Sequence, residues 1–206
     1  MDLIQKYFPY LNHLQKASFL KLMEIMPLLN EKVNVISRKD IGSLEEKHIL
    51  HSLSIAKQFQ FKNNHRIIDV GTGGGFPGIP LAILFPGTHF TLVDSIEKKI
   101  GLVNEVLAHL ELKNARTIRG RMEDLDLKAD YVVSRAVSSF PQLFQWTRKS
   151  ILPGGSPIMP NGLISLKGVD LTEELKSFKD RVEQFPISTW FEESFFSTKM
   201  IVYLKK

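Results

Sequence analysis

The feature that most constrains the fold is the run Arg66-Ile67-Ile68-Asp69-Val70, which breaks directly into Gly71-Thr72-Gly73-Gly74-Gly75-Phe76-Pro77-Gly78. A short apolar run stopped by glycine reads as a buried parallel strand. Gly71, Gly73 and Gly75 then permit a tight turn and a close approach of backbone to a ligand, because no Cβ stands in the way. In an open α/β sheet, ligands gather at the carboxyl ends of the strands, near the switch in strand order. The end of this strand is therefore the first place to look for a site.

The rest of the chain keeps the alternation. Residues 79–84 read as a helix ended by Phe85-Pro86-Gly87, 89–93 as a strand and 95–110 as a helix. Strands follow at 115–119 and 131–134, then a helix over 140–151 closed by Pro153-Gly154-Gly155. Residues 163–167 make a fifth strand, 171–178 a helix, and 181–185 and 199–204 two late strands. No crossover helix fits between these last two, so an antiparallel, hairpin-like end to the sheet is expected. Upstream, Phe19, Leu20, Leu22, Met23, Met26 and Leu29 recur at helical spacing. A second helical stretch starts at Ser43, with Glu46 completing a capping box, and turns Leu44, Ile49, Leu53 and Ile55 inward. The expected architecture is α/β: a Rossmann-like, mostly parallel, doubly wound sheet with an antiparallel C-terminal end, over residues 63–206. A helical extension over residues 1–62 precedes it. The 206 residues suffice to build this as one compact unit.

Composition narrows the classes. The chain has no cysteine, which removes disulfides and thiolate metal sites and agrees with a reducing compartment. No apolar run approaches the roughly 18 residues that span a bilayer, and the first residues lack the pattern of a signal peptide. A cytoplasmic location, without membrane association, is the expectation. His48-x-x-His51 would place two imidazoles on one helix face, but no third ligand accompanies them, so no metal is expected. The net charge of +5 favours a polyanionic partner provided the basic residues gather around a site. Nothing in the sequence sets the oligomeric state, and a monomer is the default.

Two cofactor classes suit the loop. Gly73, Gly75 and Gly78 satisfy the G-x-G-x-x-G spacing of dinucleotide enzymes, and Asp94 lies where a ribose-binding acid belongs, so a dinucleotide-binding oxidoreductase is one alternative. Three features point instead to S-adenosylmethionine. Asp69 before the glycines gives an acidic-x-Gly-x-Gly-x-Gly pattern like the first motif of Rossmann-like methyltransferases, able to order the loop and help receive a cationic group. Phe76-Pro77 fills the turn where a dinucleotide fold keeps the helix start open for phosphate. The antiparallel tail suits methyltransferases better than dehydrogenases. Asp94 can accept from ribose hydroxyls or, like Ser95, cap the next helix. Met122-Glu123 falls where such enzymes hold adenine, and Ser134-Arg135-Ala136 ends the fourth strand beside the place for the methyl group.

The run from Asp69 through Gly78-Ile79-Pro80-Leu81-Ala82 resembles the signature of the glucose-inhibited division protein B family. The resemblance continues in Leu29-Asn30 with Asn34, Glu46-x-His48 and Ser52-Leu53. Val93-Asp94-Ser95 with Lys98-Lys99, Gly120-Arg121-x-Glu123, Ser134-Arg135-Ala136-Val137 and Leu166-Lys167-Gly168 follow in family order. It implies methyl transfer from S-adenosylmethionine to N7 of a guanine in the 530 loop of 16S rRNA (position 527). The partner would be 16S rRNA, the 30S subunit or its assembly intermediate. By position, it implies cofactor contacts from Gly71, Phe76, Met122, Glu123 and Arg135, beside Gly73 from the loop and Asp94 at the end of the second strand. Another RNA or a small molecule is the alternative acceptor. Two departures stand out: His51 occupies the usual aspartate of H-x-x-D-S-L, and residues 156–162 are longer and richer in proline than expected.

Guanine N7 carries an in-plane lone pair, so no general base is expected and Arg135 is a positioning candidate. The missing cysteine rules out the thiolate route to cytosine C5. No Asn-Pro-Pro-Tyr-like run follows the fourth strand, which argues against adenine-N6 chemistry. Arg38, Lys39, Lys98, Lys99, Arg121, Arg135 and Lys167 fall at or near loops bordering the site, as phosphate contacts would. Lys199 starts the last strand as a further basic residue.

Overall fold

The computed structural model describes residues 1–178 and 180–206. Its strands are β1 (Arg66–Val70), β2 (His89–Asp94), β3 (Ala115–Arg119), β4 (Tyr131–Arg135), β5 (Gly162–Gly168), β6 (Val182–Pro186) and β7 (Lys199–Lys205). They form one sheet in the order β3-β2-β1-β4-β5-β7-β6. The first five run parallel, and β7 runs antiparallel to both β5 and β6. The expected antiparallel end is present, with β7 inserted between its neighbours. Order reverses between β1 and β4, where Val70 pairs with both Val93 and Ser134. That register brings the ends of β1, β2 and β4 level at the switch point, just below Gly71, Ser95 and Arg135.

Successive strand residues point to opposite faces, and the core divides accordingly. Ile67, Val133, Ile164, Ile201 and Tyr203 enter one apolar cluster; Ile68, Val132, Leu163, Val202 and Leu204 enter the other. The first is covered by α2 (His13–Val33), α5 (Gly78–Leu84) and α6 (Glu97–His109), through Phe19, Leu22, Met26, Ile79, Leu81, Val103 and Val106. The helices before β1 thus share a core with the sheet. The second face is covered by Phe140 and Leu143 of α7 (Phe140–Thr147), with Met122, Leu171, Leu175 and Phe178 from irregular segments. Both faces are packed, but only one carries a full helical layer.

Several sequence expectations change in detail. The capping box lies at Asn12, whose side chain accepts from Gln15 N–H at 2.9 Å while the Gln15 side chain accepts from Asn12 N–H at 3.1 Å. Ser43 and Glu46 form none: the stretch begins as a 3-10 turn (Ile41–Ser43), runs as a π-helix (Glu45–Leu50) and ends as α3 (His51–Leu53) and α4 (Ile55–Gln58). Leu20 is 54% exposed, and Ile25 takes the inward position instead. The helix over 140–151 stops at Thr147, because Ala129 pairs with Ile151 in an isolated bridge. Residues 171–178 hold only a 3-10 turn (Lys176–Phe178), yet Leu171, Leu175 and Phe178 are buried as their spacing requires. So short a segment has little helical stability alone, and Glu174 is drawn off to accept from Phe140 N–H and pair with Lys167. The proline-rich stretch forms a turn closed by the Gly155–Pro160 bridge before β5, at the end of the sheet away from the glycine loop.

Candidate active site

Asp69, at the end of β1, is fully buried and clasps the glycine loop at both ends. Its Oδ2 accepts from Thr72 Oγ1 at 2.6 Å and from Gly78 N–H at 2.9 Å. Burial pushes the carboxyl up to about 6, against the pull of these two hydrogen bonds and of the Arg135 charge. Thr72 N–H donates to Val93 O at 3.0 Å and Gly73 N–H to Asp94 Oδ2 at 3.0 Å, which ties the loop to β2. The other Asp94 oxygen accepts from Ile96 N–H at 3.0 Å, so α6 starts at Glu97 without a cap from Ser95. Gly71 has φ +66°, and a Cβ there would lie 2.4 Å from Val137 Cγ2. Gly78, the first residue of α5, has already given its N–H to Asp69, so this helix start is closed to a pyrophosphate.

Two cavities meet above the loop, sharing Gly71, Lys99 and Ala136. The first, of about 340 Å³, is walled by Asp94, Arg121, Met122, Glu123, Val137 and Trp146. The second, of about 430 Å³, is bordered by Gly73, Phe76, His48, His51, Arg135, Phe195 and Lys199. Ala136, at their junction, holds φ +54°, a conformation rare for a residue with a Cβ and typical of functional turns.

Arg135 leaves the end of β4 and donates to Lys47 O at 3.1 Å; its Nη2 lies 2.9 Å from His48 Nδ1. The guanidinium also sits over the Phe76 ring, 5.2 Å from its centroid. Burial and then the Arg135 charge hold His48 down to about 3, so His48 Nδ1 serves as an acceptor. Desolvation in turn lowers Arg135 to about 10, with Asp69 opposing it. His48 and His51 diverge in role: His51 packs edge-on against Phe195 and Phe196. Among the described residues, no group of three or more His, Asp or Glu side chains is placed to hold a metal ion.

The sequence-derived site residues separate into three groups. Gly71, Gly73, Asp94, Met122, Glu123 and Arg135 all border the joined cavities. Phe76 does so too, but it is only 2% exposed and serves mainly as the surface on which Arg135 and His48 pack. Of the basic residues, Lys99 and Arg121 reach the rim, whereas Arg38, Lys39 and Lys98 are exposed outside both cavities. Lys167 requires correction as an RNA contact. Its ammonium donates to Ser138 O at 2.5 Å and to Glu174 at 2.6 Å, with the side chain 10% exposed. Lys167→Met is expected to cost about 2–3 kcal/mol of stability and leave the salt dependence of RNA binding unchanged; a flatter dependence would restore Lys167 to the RNA surface. Sequence reasoning also missed Trp146 and Phe195, which belong to no motif, and gave His48 no role at the site.

A mostly parallel sheet with this strand order, an antiparallel β7 and a ligand-ready glycine loop at the switch point defines the class of Rossmann-like methyltransferases. The fold is similar to a SAM-dependent methyltransferase from Aquifex aeolicus, with a TM-score of 0.59 at 16% identity over 82% of this chain and 98% of that one. It is also similar to precorrin-6y C5,15-methyltransferase from Geobacter metallireducens, with a TM-score of 0.56 at 12% identity over 84% and 91%. The family GidB, described as rRNA small subunit methyltransferase G, matches residues 15–193, and the chain belongs to that family. It is 50% identical to ribosomal RNA small subunit methyltransferase G of Flavobacterium johnsoniae, over 99% of this chain and 97% of the relative. The protein of the same name from Cytophaga hutchinsonii is 47% identical over 99% of each.

Proposed function

We propose that this protein transfers a methyl group from S-adenosylmethionine to N7 of a guanine in the 530 loop of 16S rRNA (position 527). The full-length likeness to relatives named ribosomal RNA small subunit methyltransferase G carries this proposal. The site's geometry is consistent with it. Bound in the first cavity, S-adenosylmethionine supplies a methyl group on a cationic sulfur. Gly71 and Gly73 leave the backbone open to the ligand, and Asp94 retains acceptor capacity for ribose hydroxyls beyond its two backbone hydrogen bonds. Met122 and Trp146 give apolar walls for adenine, with Glu123 at the rim. Asp69 orders the loop from beneath; fully buried and outside the lining of either cavity, it acts on a cationic ligand through its field only.

The second cavity receives the acceptor base. Guanine N7 has no proton to lose, so neither neutral histidine is required as a base. The methylated ring gains positive charge, and Arg135, committed to Lys47 and His48, holds the wall of the cavity rather than the ring. Lys99, Arg121 and Lys199 at the cavities, with Arg38 and Lys98 farther out, provide phosphate contacts. Among the described residues, no helix is long and apolar enough to cross a membrane. A ribosomal RNA substrate supports a cytoplasmic location. The test offers purified protein labelled S-adenosylmethionine with 16S rRNA or 30S particles. Label should enter the RNA, S-adenosylhomocysteine should bind and NAD(H) should not; RNA-independent turnover of a small molecule would overturn the proposal.

A further inference from the structure

His51, which borders the second cavity, carries a polar atom that no group among the described residues satisfies. His51 is 6% exposed, and its Nε2 is buried without a hydrogen-bond partner among the described residues. Leaving such an atom unpaired costs about 1–3 kcal/mol, and each instance in a native fold calls for a reason. Phe195 and Phe196 stand edge-on to the imidazole, at 5.5 and 6.1 Å between centroids, and fix its plane. Burial, then the charges of Arg135 and Lys199 and the neighbouring His48, keep the ring neutral, well below its ordinary range. The other ring nitrogen lies toward the Lys47 carbonyl, and the single proton of the neutral ring held there leaves Nε2 as a lone pair rather than a donor.

We infer that His51 is a specificity-determining residue for the acceptor: its Nε2 accepts a hydrogen bond from the 2-amino group of the guanine admitted to the second cavity. This rests on the acceptor proposed for that cavity. The 2-amino group lies at the far end of the purine from N7. A base held there turns N7 back across the cavity, toward Gly71 and Ala136, where the first cavity opens. Phe195, which lines the same cavity, offers an aromatic surface for the ring. A purine lacking the amino group would leave Nε2 orphaned and bind less well.

The test compares guanosine with inosine at the target position of assembled 16S rRNA; inosine keeps N7, O6 and N1–H and lacks only the 2-amino group. Wild-type protein is expected to favour guanosine by about tenfold in kcat/KM, the size of one such hydrogen bond. His51→Phe should lose that preference by slowing guanosine alone, while S-adenosylhomocysteine affinity is unchanged. His51→Gln, whose amide oxygen falls near the position of Nε2, should retain most of it. Equal wild-type rates on the two RNAs overturn the inference without any variant, as does a His51→Phe loss that is the same for both. Wild-type protein that methylates neither RNA overturns the acceptor assignment itself, and this inference with it.

Discussion

Arg135→Ala is expected to lower methyl transfer by at least about 100-fold and to cost about 1–3 kcal/mol of stability. The guanidinium joins three parts of the chain at this point. It starts at the end of β4, reaches the Lys47 carbonyl and His48 in the helical extension, and lies over Phe76 of the glycine loop. Removing it frees the wall of the acceptor cavity and takes a donor from two partly buried acceptors. It also removes the positive charge that helps to lower Asp69, which burial already pushes up to about 6. A lysine presents a single point charge in place of a planar fork, so Arg135→Lys should not rescue activity. Thermal unfolding beside kcat and KM separates the two effects: a folded variant with depressed kcat supports a positioning role, and wild-type turnover contradicts it.

Gly71→Ala is expected to weaken S-adenosylhomocysteine binding by about 100-fold or more, since backbone strain of about 1–3 kcal/mol adds to a direct clash. The residue has φ +66°, and a new methyl would fall 2.4 and 2.8 Å from the two Val137 γ-carbons. Val137 lines the first cavity and follows Ala136, so any shift that relieves the clash moves the cavity wall. Gly73→Ala is the informative comparison: φ is +59°, but the nearest atom to its Cβ is 3.9 Å away. It should show the conformational cost alone, roughly a tenfold loss. Gly101→Ala, in α6 with nothing within 4 Å of the added methyl, should bind as wild type and gain about 0.5–1 kcal/mol in stability. Calorimetric titration of all three reads the order directly, and equal affinities for Gly71→Ala and Gly101→Ala would contradict the assigned role of the loop.

The alternation of strands and helices was legible in the sequence because buried parallel strands are short, apolar and punctuated by glycine and proline. The run 66–70, the glycine loop and the late antiparallel strands all fall where that pattern puts them. The loop's ligand was less legible. Spacing alone also admits a dinucleotide; the fold resolves this at Gly78, whose amide is spent on Asp69. Partner choice among charged side chains was not legible at all. Lys167 sits in a family-like motif, yet its ammonium is occupied by Glu174, seven residues on in a segment that reads as helix and folds as turns. His51 shows the same limit: sequence marked it as a departure from aspartate, and only the fold, which packs it against Phe195 and Phe196, leaves its Nε2 without a partner among the described residues.

The most direct test is to locate the transferred methyl group. Purified protein, S-adenosylmethionine and 30S particles lacking the modification are incubated, and the RNA is treated with borohydride and aniline, which cleave the strand at N7-methylguanine. A single new break at the target guanine of the 530 loop is the predicted result, absent with Gly71→Ala and strongly reduced with Arg135→Ala. Methyl incorporation without a break there, or a break at another guanine, would contradict the account.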